Sequence, residues 1–437
     1  MNFAVISDTH LGDKDCGLVI KNKNKDKYEL GKFYEYFYKG MKASCDYMIL
    51  LGDTFDFAIE DYSDAYEAGK VFLNKVVEDG FVRKGFIYIP GNHDFNLWPL
   101  IEYEANIINR LKDGQKVRKF QNSLPAIIDA RSGNAKFSLY GVKPHENNGN
   151  YEYGGMYLDN LIDKKEITFN IAYPNLYLFT KKETVLFTHG HYLDTYWSLF
   201  SNYAGELTKK INKNESPDFI SLDVNNMSEM VDINLPLNQL ASSGVGQSGK
   251  LGKIVNKVEH NLKNNKIGRV DVYIINLFRL LENSILKSWP DLLRKLLFKM
   301  LKKKSIEAIT EVFNNYNTPR DNKAFLKENI KRLEKFYNLT VKELKSLKFS
   351  DDENKYLEYQ LEKEYIEPNK IIYGHTHVPR GCGESEVIKI NNKKIYTYNL
   401  GGWLSKDKKN WRGAEIFFIN DKGELSSERV KERGCNT

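Results

Sequence analysis

No stretch of this chain stays apolar for the ~18–20 residues that a membrane-spanning helix needs. The longest runs, YMILL and YIINLF, are only strand-sized. Cysteine is scarce: Cys16, Cys45, Cys382 and Cys435 are the four, and none forms a CxxC pair. That excludes a disulfide framework and a cysteine-rich zinc ribbon, and it fits a reducing cytoplasm. MNFAVISDTH has neither the basic nor the long apolar region of a secretory signal, so a cytoplasmic location is expected. Charge of one sign is lacking too: 65 Lys and Arg stand against 58 Asp and Glu. The formal +7 does not by itself point to nucleic acid. No internal repeat of fixed period is present. With 41% hydrophobic and 28% charged residues the chain is globular in composition rather than disordered. Its 437 residues imply two or three units at roughly 100–200 residues per domain.

The first part alternates short apolar runs with amphipathic stretches. FAVIS, YMILLG and FIYIPG are separated by helix-like segments at 28–41 and 65–77, and another follows near 97–111. This order predicts βαβ units around a buried sheet. PAIIDA, KFSLYGV, LYLFT and TVLFT then read as strands of a second sheet. From 196 to 367 the texture is helical, with apolar residues three and four apart through 270–313. KIIYG restores strand character, followed by two hairpins: EVIKI with KIYTYNL across Asn391-Asn392, and AEIFFI with ELSSERV across 420–423. The expected organisation is an α/β domain from 1–195 and 368–437, interrupted by a helical insertion at 196–367.

Polar residues with metal-binding chemistry follow these strands. Asp8 and His10 come after FAVIS, Asp53 after YMILLG, Asn92 and His93 after FIYIPG, His189 and His191 after TVLFT, and His375 and His377 after KIIYG. One Asp or His after a strand is ordinarily a cap or loop residue. Five strands in succession ending in a carboxylate, carboxamide or imidazole point instead to one crevice at the strand ends. The set is N and O without thiolate, which suits Mn, Fe, Zn, Co or Ni, and its carboxylates suffice for two ions.

The ordered series Asp8-x-His10, Gly52-Asp53, Gly91-Asn92-His93-Asp94, His189-Gly190 and Gly374-His375-x-His377 resembles the calcineurin-like metallophosphoesterase superfamily. The resemblance implies two mixed β-sheets sandwiched between helices, with a dinuclear centre at the strand ends. It implies one divalent ion on Asp8, His10, Asp53 and His377, and a second on Asp53, Asn92, His189 and His375. Hydrolysis would use a hydroxide shared by the ions. His93 would assist the leaving group, oriented by Asp56, and Asp94 would act only behind the ligands. His191 could approach the substrate or lend a hydrogen bond behind the ligands.

GDTFDFA and GNHD depart from the protein Ser/Thr phosphatase wording. GHTHVP with YTYNLGGW, and GNHDF, are similar to the UDP-2,3-diacylglucosamine pyrophosphatase group, although His93 stands where that group usually has Arg. A nuclease branch shares SDTHLG and GDxFD, leaving a DNA/RNA nuclease or phosphodiesterase as the alternative. A non-catalytic scaffold would have lost ligands, and none is missing. The insertion occupies the place of a lid. Its segment 285–304 mixes Leu, Phe, Trp and Met with lysines, which suits packed lid helices or a peripheral membrane contact. A phosphorylated small-molecule or lipid-linked substrate is expected. GVGQSGKL has Leu251 where a phosphate-binding loop needs Ser or Thr and reads as a connector. His145 and His260 read as surface residues.

Overall fold

The computed structural model describes residues 1–22, 24, 26–131, 136–137, 155–194, 197–198, 201, 224–243, 295, 299, 322–346, 367–405 and 411–431. Within them the chain forms fifteen strands. The first five are β1 (Phe3–Ile6), β2 (Val19–Asn22), β3 (Lys27–Leu30), β4 (Cys45–Leu51) and β5 (Val82–Ile89). Next come β6 (Ala126–Asp129), β7 (Lys136–Phe137), β8 (Thr168–Ile171), β9 (Asn175–Phe179) and β10 (Thr184–Thr188). After the insertion follow β11 (Lys370–Tyr373), β12 (Glu386–Ile390), β13 (Lys393–Asn399), β14 (Ala414–Ile419) and β15 (Leu425–Val430).

Two mixed sheets result, as the family resemblance implies. The six-stranded sheet runs β15-β14-β1-β4-β5-β8 and the seven-stranded one β12-β13-β11-β10-β9-β6-β7. Strands β1, β4, β5 and β8 are parallel, as are β10, β11 and β13. The strand period of two sorts side chains onto two faces. Val5, Ile49 and Ile87 of the first sheet meet Leu178, Val185, Phe187 and Ile372 of the second in one core. Ala4, Ile6, Met48, Leu50 and Tyr88 join the other core, with Phe37, Phe72 and Leu73 of the helices Phe33–Gly40 and Tyr62–Glu78. Burial on both faces is why these strands read as unbroken apolar runs. Helix Tyr62–Glu78 starts where Asp61 accepts hydrogen bonds from the Ser63 and Asp64 amides, a cap worth ~1 kcal/mol.

The segment 28–41 is not one helix. Lys27–Leu30 pairs with Val19–Asn22 in a small two-stranded sheet, and the helix begins only at Phe33. Gly31 separates them, its amide donating back to Leu18 O at 2.7 Å, so strand pairing overrides the helical periodicity of the aromatics. The β12–β13 hairpin forms across Asn391 (φ 50°) and Asn392 (φ 63°), the left-handed pair that a two-residue turn demands. β14 and β15 pair across 420–423. β8, with polar Thr168 and Asn170, was too weakly apolar to stand out.

The described part of the insertion contains helices Met227–Ser243, Asn322–Glu328 and Ile330–Ser346. The last packs on the second sheet. Tyr177 Oη donates to Glu343 Oε2 at 2.6 Å, Asn175 Nδ2 donates to the same oxygen at 2.9 Å, and Tyr337 Oη donates to Pro368 O at 2.8 Å. Phe325, Leu333 and Phe336 are buried in the core that holds Leu186, Ile371 and Tyr373. The stretches 244–251, 270–294 and 300–313, with His145 and His260, lie outside the described residues.

Candidate metal centre

The site forms where the carboxyl ends of β1, β4 and β5 meet those of β10 and β11. Asp8, His10, Asp53, His375 and His377 all have left-handed backbones, with φ of 53°, 47°, 49°, 66° and 55°. Such conformations cost non-glycine residues ~1–3 kcal/mol each and persist only when the surroundings over-determine them. Here the determinants are hydrogen bonds between the loops: Asp8 N to Gly52 O at 3.0 Å, His10 N to Asp53 O at 2.9 Å and Gly374 N to His189 O at 3.0 Å. Two motif glycines have a steric reason as well. A Cβ on Gly52, itself at φ 80°, would lie 2.3 Å from His189 Nδ1, and one on Gly374 would lie 2.1 Å from Asp8 Oδ2.

One half of the cluster gathers Asp8, His10 and His377. His377 Nε2 is 3.2 Å from Asp8 Oδ1 and 3.2 Å from His10 Nε2. The other half gathers Asn92, His189 and His375. Asn92 Oδ1 is 3.1 Å from His189 Nε2 and 3.0 Å from His375 Nδ1. Asp53 stands between them, with Oδ2 3.8 Å from His10 Nε2 and 3.1 Å from His189 Nε2. Donor atoms of Asp8, His10 and His377 lie within 4.8 Å of one another, and so do those of Asp53, His189 and His375. All seven ligand candidates read from the sequence are therefore brought together.

The donor set fits cations. Asp8 and Asp53 are buried, and among the described residues neither carboxylate has a Lys or Arg partner. Buried carboxylates without counter-charge are costly. Burial disfavours a charged His189 ring, yet the carboxylates of Asp53 and Asp8 outweigh it and push the ring up to about 9. A field that favours a proton on a buried imidazole also favours a metal ion.

Residues 1–222 match the family described as calcineurin-like phosphoesterase. The chain belongs to that family. Calcineurin-like phosphoesterases are metal-dependent hydrolases that typically hold two metal ions, and this chain has the residue clusters for them. A search among curated proteins finds no match.

The phosphoesterase's candidate acid lies beside the cluster. His93 Nδ1 is 2.9 Å from Asp56 Oδ1, and its amide donates to Asp53 Oδ1 at 2.8 Å. Burial opposes the imidazolium, but the charges of Asp56 and Asp53 prevail and push His93 up to about 10. Burial would likewise raise Asp56, but His93 and His10 hold its carboxyl well below the usual range. The side chains of His93 and His377 are 25% and 34% exposed, which marks the open face of the site. His191, expected to approach the substrate or to hydrogen-bond behind the ligands, is buried, 1% exposed, against Tyr192 and beside His189.

Several supporting contacts were not legible in the sequence. The other oxygen of Asp56 sits 2.9 Å from His10 Nδ1, so one carboxylate holds both histidines. Asp94 ties two loops together, accepting from Gly91 N at 2.7 Å and Thr54 N at 2.7 Å. Asn399 of the NLGGW stretch donates to Gly374 O at 2.7 Å and to Thr376 Oγ1 at 3.0 Å, fixing the GHTH loop. Asp194 Oδ2 lies 3.5 Å from His375 Nε2. Phe325, from the insertion, places its ring 6.4 Å from that of His375.

Proposed function

We propose that the chain hydrolyses a phosphoester or pyrophosphate whose non-reacting part is apolar or lipid-like, with Asp8, His10, Asp53 and His377 holding one ion and Asp53, Asn92, His189 and His375 the other. When bound, the ions supply an acidified water as nucleophile and neutralise charge on the phosphoryl oxygens. The chain's own residues supply the rest. Asp53 would serve both ions, and it accepts from the His93 amide, which fixes that ring relative to the centre. His93, kept protonated by Asp56, donates from its open edge to the departing oxygen. Asp56 holds the Nδ1 side of that ring, leaving Nε2 for the transfer. The observation that carries this reading is the convergence of seven donors on one crevice with a carboxylate-held, partly exposed His93 ring at its mouth.

The substrate reading is supported by the insertion. Its helices cover one flank of the centre, from Phe325 beside His375 to Asn238 Nδ2, which donates to Tyr192 Oη at 3.1 Å. A body tethered there can close over a substrate and contact its remote part. The proposed lid is the insertion 196–367 as a whole; helix Ile330–Ser346 within it also covers the second sheet, so the test leaves that helix in place. Replacing 244–321 by a Gly/Ser linker should spare hydrolysis of a small chromogenic phosphodiester. It should lower kcat/KM on the amphiphilic substrate, since remote binding energy is lost. A panel of phosphomonoesters, phosphodiesters, nucleoside diphosphate-sugars with and without acyl chains, and single-stranded DNA identifies that substrate. Equal turnover of acylated and unacylated compounds, or preference for DNA, would overturn the lipid-like assignment.

A further inference from the structure

Immediately after Asn92 and His93 the chain runs helical from Leu97 to Lys112, with a π-helical turn at Glu104–Ile108 between α-helices Leu97–Tyr103 and Asn109–Lys112. Its inner side is ordinary: Trp98, Ile101, Glu102 and Asn106 are buried. Its outer side is not. Leu100, Tyr103, Ile107 and Leu111, three and four residues apart, are 44%, 49%, 37% and 61% exposed. Ile108 and Val117 are exposed beside them. These six make up half of the twelve large apolar side chains that are exposed among the described residues. Scattered exposed apolar residues need no explanation, but a stripe along one helix does.

The same segment is basic. Arg110, Lys112, Lys116, Arg118 and Lys119 face a single acid, Asp113, between 110 and 119. The returning segment 115–121, which carries Lys116, Arg118 and Lys119, is tied to the helix that carries Arg110 and Lys112. Arg118 N donates to Asn106 O at 3.0 Å, Arg110 Nε donates to Lys116 O at 2.5 Å, and the buried Glu102 carboxylate accepts from Gln121 N at 2.9 Å and from Asn106 Nδ2 at 2.8 Å. Phe120 packs its ring 5.6 Å from Tyr103. The apolar stripe and the basic run thus belong to one braced platform.

From this we infer that residues 97–120 form a docking surface for an anionic lipid bilayer. An apolar helix face lying in the plane of the interface, bordered by Lys and Arg, binds through buried apolar area plus attraction to acidic headgroups. A protein partner would leave the charge pattern without a specific reason, whereas an anionic surface uses both features at once. The inference does not depend on the substrate assignment, because binding is read without turnover.

The test is flotation of the full chain with vesicles of phosphatidylcholine containing phosphatidylglycerol, beside vesicles of phosphatidylcholine alone. Binding to the anionic vesicles, weakened by added salt, is expected. Lys116→Ala with Lys119→Ala should weaken it ~25-fold, at about five-fold per basic residue. Ile107→Ser with Leu111→Ser should weaken it by roughly ten-fold or more. Thermal melts check that the variants fold; if the apolar pair does not, the lysine pair and the salt dependence decide. Failure to bind anionic vesicles, or binding unchanged by the lysine pair, overturns the proposal. So does a wild-type dimer that the apolar pair converts to monomer with no vesicle binding, which would assign the face to a second copy of the chain.

Discussion

The two halves of the metal centre are held in different ways. Around Asp8, His10 and His377 the supports come from the neighbouring strand-end loops: Asp56 grips His10 Nδ1, and hydrogen bonds lock Asp8 between Gly52 O and the His375 amide. Around Asn92, His189 and His375 the supports are weaker and partly imported. His189 Nδ1 faces Leu51 O at 3.1 Å, His375 Nε2 faces Asp194 at 3.5 Å, and the ring of Phe325 comes from the insertion. The first half is also tied to the proposed acid, because the carboxylate that holds His10 also holds His93. On the proposed roles the difference separates two tasks: the first half would couple metal retention to acid assistance, and the second half is where residues of 196–367 would bear on the centre.

The largest effect should erase the comparison. Asp53→Asn removes the one carboxylate between the halves, so both ions and all activity should be lost together. Metal analysis of the purified variant checks this; if Asp53→Asn still carries two ions, the bridging role is refuted. Next, His93→Ala should cut turnover by roughly 10²–10⁴, the usual weight of general acid assistance, with both ions retained. Asp56→Asn should do more than that. It should slow turnover as His93→Ala does and also weaken one ion by ~10–100-fold, since a residue orienting a metal ligand typically matters by that much. Equal retention of both ions in Asp56→Asn and His93→Ala would show that the Asp56–His10 contact is idle.

The ligands of both halves were readable because each follows directly on a strand buried on both faces, so chemistry and hydrophobic pattern lie side by side in the sequence. FAVIS leads to Asp8 and His10, YMILLG to Asp53, FIYIPG to Asn92, TVLFT to His189, and KIIYG to His375 and His377. The supports were not readable, because they act across the fold. Asp56 reaches His10 over 46 positions, and Asn399 reaches Gly374 over 25. Phe325 meets His375 only because helix Asn322–Glu328 returns to the second sheet. The strand β3 was hidden for a related reason: the aromatics of 28–41 keep helical spacing, and only pairing with β2 and the break at Gly31 assign the first of them to a strand.

The smallest expected effect isolates the second half. His375 presents Nδ1 to Asn92, so its other nitrogen is available to be steadied, and Asp194 is the carboxylate that faces it. A carboxylate behind a ligating histidine fixes the ring and raises its basicity, and removing such a partner costs ~10–100-fold in metal affinity. At 3.5 Å, with the Asp194 side chain 24% exposed, the lower end applies. Asp194→Asn should therefore weaken only one of the two ions, by ~10-fold, while the other, held with Asp8, His10 and His377, keeps its affinity. Titrating metal into the stripped protein by calorimetry separates the two binding steps. In Asp56→Asn the weakened step should be the other one, and combining the two substitutions should weaken both independently. If Asp194→Asn instead weakens both ions equally, the halves share one support and the distinction drawn between them collapses.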